Sequence, residues 1–252
     1  MRIKYLNEDR NALRAMTHCL MTYIERKDKE SPFYLALSGG ETAKKLFTLW
    51  VEEYRDKITW ERIHFFWVDE RCVLPSDPES NYGWADQLLF SPLGIAATQV
   101  HRIHGEREPG TEAMRYSRVI KEFLPRHGML PYFDCILLGI GTDGHIASIF
   151  PDSLSLLTDT RSYAVSQPSG AKHFRITMTG RLITNGSPLL IPLLGQQKKE
   201  ILEQIKKDIQ SRTLFPPLIY FHKPLKQLCF VVLIKNNLAQ INMILLENIL
   251  YY

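Results

Sequence analysis

The sequence predicts a three-layer α/β domain: a Rossmann-like, mostly parallel sheet with helices on both faces and a small mixed-strand extension. Three observations predict it. Short apolar runs alternate with amphipathic segments, the pattern of a parallel sheet covered on both sides. The run Phe133 to Ile140 is almost wholly apolar, as a strand buried on both faces is. Glycines cluster where such runs end, at Gly39 and Gly40 and again at Gly139, Gly141 and Gly144, where the backbone turns sharply and a ligand can approach closely.

The elements follow in order. From Asn7 to Arg26 apolar residues recur at helical spacing, with Leu13, Met16, Leu20 and Ile24 on one face. Phe33 to Leu37 is a short strand. Glu41 to Tyr54 is a helix with Ala43, Leu46, Phe47 and Trp50 on one side. Ile63 to Val68 is a second strand, Tyr82 to Phe90 a helix and Val100 to Ile103 a third strand. Thr111 to His127 is a helix, with Pro109 and Gly110 just before it. After the 133–140 strand come strands at Tyr163 to Val165, Phe174 to Met178 and Leu189 to Leu194. Stretch 160–178 reads as a hairpin-like insertion. Gln196 to Ile209 reads as a helix and Leu228 to Ile234 as the last strand. With no repeat, linker or low-complexity tract, residues 1–233 form one domain. Residues 234–252 are an atypical tail in which Leu238, Ile241, Leu245 and Ile249 fall on one helical face.

At 252 residues and 45% hydrophobic content the chain can bury a full core and is not a disordered protein. A formal charge of +4 is mild, and the basic residues are scattered. Lys198, Lys199, Lys206 and Lys207 mark a solvated helix face, so nucleic acid is not an expected partner. The four cysteines lie far apart without a C-x-x-C, which fits reduced thiols and neither a disulfide framework nor a zinc site. His101 and His104 have no accompanying ligand motif. The charged N-terminus has no signal core, and the longest apolar run, Leu228 to Ile234, is too short for a membrane span. A soluble, cytoplasmic protein is expected.

In an open parallel sheet, ligands bind beyond the carboxyl ends of the strands. Three strand ends carry unusual residues. Ser38-Gly39-Gly40, ahead of a helix, presents backbone N–H groups to an anion, or is a plain turn. Phe65-Phe66-Trp67-Val68 runs into Asp69, Glu70 and Arg71. There Arg71 suits a phosphate or a developing oxyanion, unless an acid simply pairs with it. Ser80 or Asn81 caps the next helix, and Asn81 can also face the site. The third strand end carries Asp143 and His145, an acid and an imidazole placed together for proton transfer. Farther on, Arg175 opens a strand and offers a second cation, with Lys172 shortly before it, unless this stretch is a surface-exposed edge.

Gly139, Gly141 and Gly144 also satisfy G-x-G-x-x-G. A dinucleotide fingerprint opens a long helix, whereas Pro151 breaks this segment within about two turns. No G-x-S-x-G elbow surrounds Ser148, so a serine hydrolase is not indicated. An activated water suits these residues better than a covalent nucleophile.

Taken together, Leu37-Ser-Gly-Gly40, Trp67-Val-Asp-Glu-Arg71, Glu79-Ser-Asn81, Val100-His-Arg-Ile-His-Gly-Glu106, Gly139-Ile-Gly-Thr-Asp-Gly-His-Ile-Ala-Ser-Ile-Phe-Pro151 and Arg175-Ile-Thr-Met178 resemble the 6-phosphogluconolactonase family. The motifs occur in the family order across roughly residues 30 to 210, and D-G-H-x-A-S-x-F-P is the most specific of them. The resemblance implies the ribose-5-phosphate isomerase/CoA-transferase-like fold. It implies hydrolysis of 6-phosphoglucono-δ-lactone to 6-phosphogluconate in the oxidative pentose phosphate pathway, with neither metal nor organic cofactor. By the same resemblance His145 is the base on water and then the acid toward the ring oxygen, positioned by Asp143. Ser38, Gly39, Gly40, Asp69, Arg71, Asn81, Gly141, Lys172 and Arg175 form the substrate site. A monomer or weak dimer acting on a small phosphosugar lactone is expected. Family members often carry Trp and Asp near the last strand, where this chain reads Leu228-Cys-Phe-Val-Val-Leu233, and Ile234 to Tyr252 does not match the family.

Two rivals remain at this level. Glucosamine-6-phosphate deaminases share D-G-H-I-A but continue toward Asn-Glu-Pro, where this chain has Ser148-Ile-Phe-Pro151. A non-catalytic sugar-phosphate sensor needs the turns and cations but not both Asp143 and His145.

Overall fold

The chain opens with a strand, β1 (Arg2–Leu6), ahead of the expected first helix. The computed structural model describes residues 2–6, 8–194 and 228–233. Helix α1 (Asp9–Arg26) buries Leu13, Met16, Leu20 and Ile24, as the spacing predicts. Thr17 also lies on that face. Its hydroxyl donates to Leu13 O at 2.8 Å and accepts from Trp50 Nε1 at 2.9 Å, which ties α1 to the next helix. Strand β2 (Phe33–Leu37) and helix α2 (Glu41–Glu53) follow, then β3 (Ile63–Trp67). A short strand, β4 (Asp69–Arg71), comes one residue later. Helix α3 (Asn81–Ala85) widens into a π segment at 86–90 and one further turn, α4 (Ser91–Leu93).

Two expected elements change here. Val100 to Ile103 is not a strand. It makes one parallel bridge, Val100 to Phe65, and His101 N–H donates to Phe65 O before the chain leaves the sheet edge. The helix expected at 111–127 is α5 (Pro109–Phe123). It stops at Leu124 because the residue before Pro125 is driven to extended backbone, observed at ψ 144°. Residues beyond it form a small hairpin, β5 (Arg126–His127) and β6 (Leu130–Pro131). The apolar run 133–140 is a regular strand only at β7 (Cys135–Leu137), yet all three of those residues are buried. Then come β8 (Tyr163–Ser166), β9 (Arg175–Met178), a single turn α6 (Gly180–Ile183), β10 (Leu189–Leu193) and β11 (Leu228–Leu233). The helix expected at 196–209 and the tail helix at 238–249 lie outside the described residues.

Six strands form one parallel sheet in the order β1-β11-β10-β7-β2-β3. Both faces are covered, as an all-parallel sheet requires. On β3, Phe65 packs with Trp60 and Phe90 on the side of α2 and α3, while Phe66 meets Phe123 of α5 and Phe133 on the other. Phe33, Leu35, Ala36, Leu37, Phe65 and Phe66 are all at most 1% exposed. At about 25 cal/mol per Å² this apolar burial is the main force holding the layers together.

The expected extension is a separate antiparallel sheet, β4-β9-β8. Val68 is the pivot between the sheets. Its N–H donates to Leu37 O at 2.8 Å in the large sheet, and its C=O accepts from Met178 N–H at 2.8 Å in the small one. Strand order reverses at β2, with β3 on one side and β7 on the other. In such sheets a crevice opens at the carboxyl ends of the strands flanking that switch point.

Candidate active site

Ser38 closes the bottom of this crevice. Its hydroxyl donates to Leu137 O at 2.8 Å and accepts from Gly139 N–H at 3.2 Å, which joins the ends of β2 and β7. Gly40 follows with φ +85°, a left-handed conformation that L side chains rarely adopt, and leads into α2 with no side-chain cap. The first N–H groups of α2 therefore have no side-chain partner at the cap position. Gly39 has a different reason to be glycine. A Cβ there would lie 1.8 Å from Asn81 Oδ1.

Asn81 and Asp69 are buried at 4% and 7% exposure. Asn81 Nδ2 donates to Asp69 O at 2.9 Å. Asp69 Oδ2 accepts from Ser148 Oγ at 2.5 Å, across 79 residues of sequence. Ser148 N–H donates to Thr177 Oγ1 at 3.0 Å, and Ser148 O accepts from Ser166 Oγ at 2.6 Å. This buried polar group pins the segment after His145 onto the small sheet. Ser80, not Asn81, caps α3, its Oγ accepting from Gly83 N–H at 3.0 Å. Glu70 turns inward and accepts from the N–H groups of Arg71, Asn81 and Tyr82 at 2.7–2.8 Å. Burial pushes its carboxyl up to about 7, against the pull of those three donors.

Asp143 and His145 meet as the sequence spacing suggests. His145 Nδ1 lies 2.6 Å from Asp143 Oδ1, and the same oxygen accepts from His145 N–H at 3.2 Å. A carboxylate on Nδ1 assigns the proton there and leaves Nε2 as an acceptor. Burial raises the Asp143 carboxyl, but the hydrogen bonds from His145 outweigh it and hold the group below its ordinary range. The pair folds over Gly141, where a Cβ would sit 2.1 Å from His145 Nδ1 and 2.5 Å from Asp143 Oδ1. Gly144 at φ +86° and Ala147 at φ +51° bend the segment back on itself. Ala147 is the one non-glycine residue with positive φ among the described residues, and such strain is retained only where surrounding packing over-determines it. Buried Ile140, Ile146 and Ile149 supply that packing.

The arginines come from the small sheet. Arg71 and Arg175 are direct partners in the antiparallel β4–β9 pair. Neither forms an ion pair with Asp69 or Glu70, so the expected alternative of a simple internal salt bridge is not what the structure contains. Arg71 Nη1 donates to Glu79 O at 2.8 Å, and its buried Nε has no partner. Burial and the Arg71 charge both lower the pKa of Arg175. A cavity of about 420 Å³ opens beside Arg175, with Asp143, Phe150, Asp152 and the turn from Pro168 to Ala171 also in its wall. Lys172 is exposed beyond this turn. Among the described residues, no three His, Cys, Asp or Glu side chains converge as a metal site requires, and no helix is long and apolar enough to cross a membrane.

A dyad for proton transfer thus stands beside two cations that form no direct ion pair with a carboxylate among the described residues, although Asp69 and Glu79 lie near enough to act on Arg175. The model of the family described as glucosamine-6-phosphate isomerases/6-phosphogluconolactonase matches residues 7–228. The chain belongs to this family. A 6-phosphogluconolactonase of Treponema pallidum is 34% identical over 232 residues, covering 92% of this chain and 94% of that one. One from Haemophilus influenzae is 39% identical over 186 residues, covering 73% and 78%. The solved structure of 6-phosphogluconolactonase from Trypanosoma cruzi superimposes with a TM-score of 0.79 at 26% identity, covering 92% of this chain and 95% of that one.

In this member of the glucosamine-6-phosphate isomerase/6-phosphogluconolactonase family, most of the expected site residues fall into two groups. Asp143 and Arg175 line the cavity, with His145 paired to Asp143 and Arg71 opposite Arg175 in the small sheet. Ser38, Asp69 and Asn81 spend their polar atoms on internal hydrogen bonds. Ser148 and Phe150 belong to the most specific motif in the sequence, but the sequence assigned neither a role in the site. A spacing rule cannot find Ser148, whose partner lies in another sheet. Phe150 carried a signal, as an aromatic five residues past the histidine at the end of a segment full of turn residues.

Proposed function

We propose that this chain hydrolyses 6-phosphoglucono-δ-lactone to 6-phosphogluconate. The observation that carries the reading is the Asp143–His145 dyad beside the Arg71–Arg175 pair, a base next to two cations that form no direct ion pair among the described residues. The lactone phosphate lies against these arginines and the first N–H groups of α2, with Lys172 at the rim. His145 Nε2 takes a proton from water as its oxygen attacks the lactone carbonyl. Asp143 stabilises the imidazolium. A guanidinium lies against the tetrahedral oxyanion. The ring C–O bond then breaks, His145 returns its proton to the departing ring oxygen, and the product is the open-chain acid. A δ-lactone is already reactive, so one positioned water, one proton shuttle and one oxyanion partner suffice. Phosphate binding supplies orientation remote from the reacting carbon.

The test generates the lactone in place with glucose-6-phosphate dehydrogenase and follows its disappearance, with and without a chelator. Disappearance well above the spontaneous rate, unaffected by chelation, is expected. Ammonia release from glucosamine 6-phosphate without lactone turnover would reverse the assignment within the family. Binding of 6-phosphogluconate without turnover of either compound would indicate a sensor.

A further inference from the structure

One side chain touches both halves of the site. The His145 imidazole stacks on the Phe150 ring with centroids 4.2 Å apart and planes 26° apart. The Arg175 guanidinium carbon lies 5.3 Å from the centroid of the same ring. We propose that Phe150 is a positioning residue that holds the proton-transfer histidine and the anion-binding arginine in fixed relation. The proposal rests on the lactonase reading above and deepens it.

The backbone is built to deliver this ring. Gly141 N–H donates to His145 O at 2.7 Å and Ile149 N–H to Ile146 O at 2.8 Å, with the strained Ala147 between them. Phe150 N–H then donates to Ser153 Oγ at 2.9 Å, and Ser153 Oγ contacts Phe150 O at 3.2 Å. The ring is thereby hooked at its own backbone, while the preceding residue Ile149 is buried at 2% exposure. Asp143 fixes one edge of the imidazole, and an in-plane hydrogen bond leaves rotation about that bond free. A π face at stacking distance removes this freedom. On the side of Arg175, the ring supplies a cation–π platform within the range where such contacts count. Phe150 is half-buried and also lines the cavity, so its replacement need not open the core.

The test compares wild type, Phe150→Leu and Phe150→Tyr, each also in a His145→Ala background, by lactonase kinetics with melting temperature as a control. Phe150→Leu is expected to lower kcat about 10- to 100-fold, the scale of a misplaced catalytic group. KM should rise only about two- to fivefold, the weight of one exposed cation–π contact. Phe150→Tyr keeps the π face and should stay within about threefold of wild type in both constants. In the His145→Ala background, Phe150→Leu should cost nothing further in kcat, because residues acting as one unit are not additive, while the rise in KM through Arg175 should remain. If Phe150→Leu does not fold, Phe150→Met, unbranched and without a π face, carries the same comparison. An active wild type with a fully active Phe150→Leu variant, or an equal loss of kcat in both backgrounds, overturns the positioning role alone. An inactive wild type overturns the lactonase reading and this role with it.

Discussion

Arg71 and Arg175 face each other directly across the β4–β9 pair, two like charges in register, and the Arg71 charge lowers the pKa of Arg175 against the pull of Asp69 and Glu79. Like charges directly opposite in a sheet are destabilising. Their juxtaposition is explained by an anionic ligand, which would convert the repulsion into a two-armed clamp. Arg175→Met should therefore separate stability from activity. Removing the repulsion should leave the unliganded protein as stable as wild type or up to about 1 kcal/mol more stable. Loss of one charge-assisted hydrogen bond to the ligand should lower kcat/KM by about 10- to 100-fold. Thermal melts and steady-state kinetics on the one variant check both halves, and a destabilised variant with normal kcat/KM would refute the clamp.

His145→Ala should fold normally, bind 6-phosphogluconate and lose about 10²- to 10⁴-fold in kcat, the usual weight of a general base. Asp143→Asn should keep the imidazole near its place but remove the negative charge that stabilises its protonated form and holds its tautomer. Its kcat should fall between those of wild type and His145→Ala. Calorimetric binding of the product together with turnover separates the two roles.

Gly141→Ala places a methyl group about where His145 Nδ1 lies now, at 2.1 Å. Real atoms do not approach so closely, so the imidazole must leave its position. Because Gly141 has no positive φ, backbone strain is not the cause. A loss of at least about 100-fold in kcat with an unchanged melting temperature is expected. An active Gly141→Ala enzyme would show that the dyad geometry is dispensable.

Ser148→Ala removes the donor to Asp69 Oδ2 and leaves a buried carboxylate oxygen without it. That should cost about 1–3 kcal/mol of stability. Denaturant unfolding measures it. The Asp69→Asn, Ser148→Ala double variant should lose less than the two single losses added together, because the pair is in direct contact.

His64 and His101 face each other at 2.9 Å beneath Phe66 and Phe123. Burial, with His64 adding to it, lowers His101 to about 4, and burial lowers His64 as well. A histidine depressed on folding takes up protons in the unfolded state first. Its contribution to stability is therefore full above about pH 6.5 and is lost as pH falls toward about 4. His101→Gln should flatten the acid limb of stability against pH over that window, by at most about 3 kcal/mol. Unfolding at pH 7.5 and pH 4.5 provides the comparison.

The legible parts of this fold are those with local causes. The faces of α1 and α2 follow from residues three and four apart, and β2 and β3 from apolar runs bounded by turn residues. The dyad follows from two residues separated by one glycine. β1 was less legible because five residues of alternating charge and apolarity are too short to stand out. The 100–103 segment reads as a strand by composition, but it meets the sheet only at Phe65, through one bridge from Val100 and one hydrogen bond from His101.

What the sequence by itself determined is the α/β class, the glycine turns at the strand ends and the pairing of Asp143 with His145. These rest on periodicity and on neighbours a few residues apart, which a linear reading contains. Only the tertiary structure decided that Arg71 and Arg175 are cross-strand partners, that Asp69 and Asn81 turn inward, and that Phe150 lies between His145 and Arg175. Those relations depend on register between strands and on a sheet that pivots at Val68. A residue that is free in sequence becomes a partner only when packing of distant apolar surfaces brings its strand alongside another.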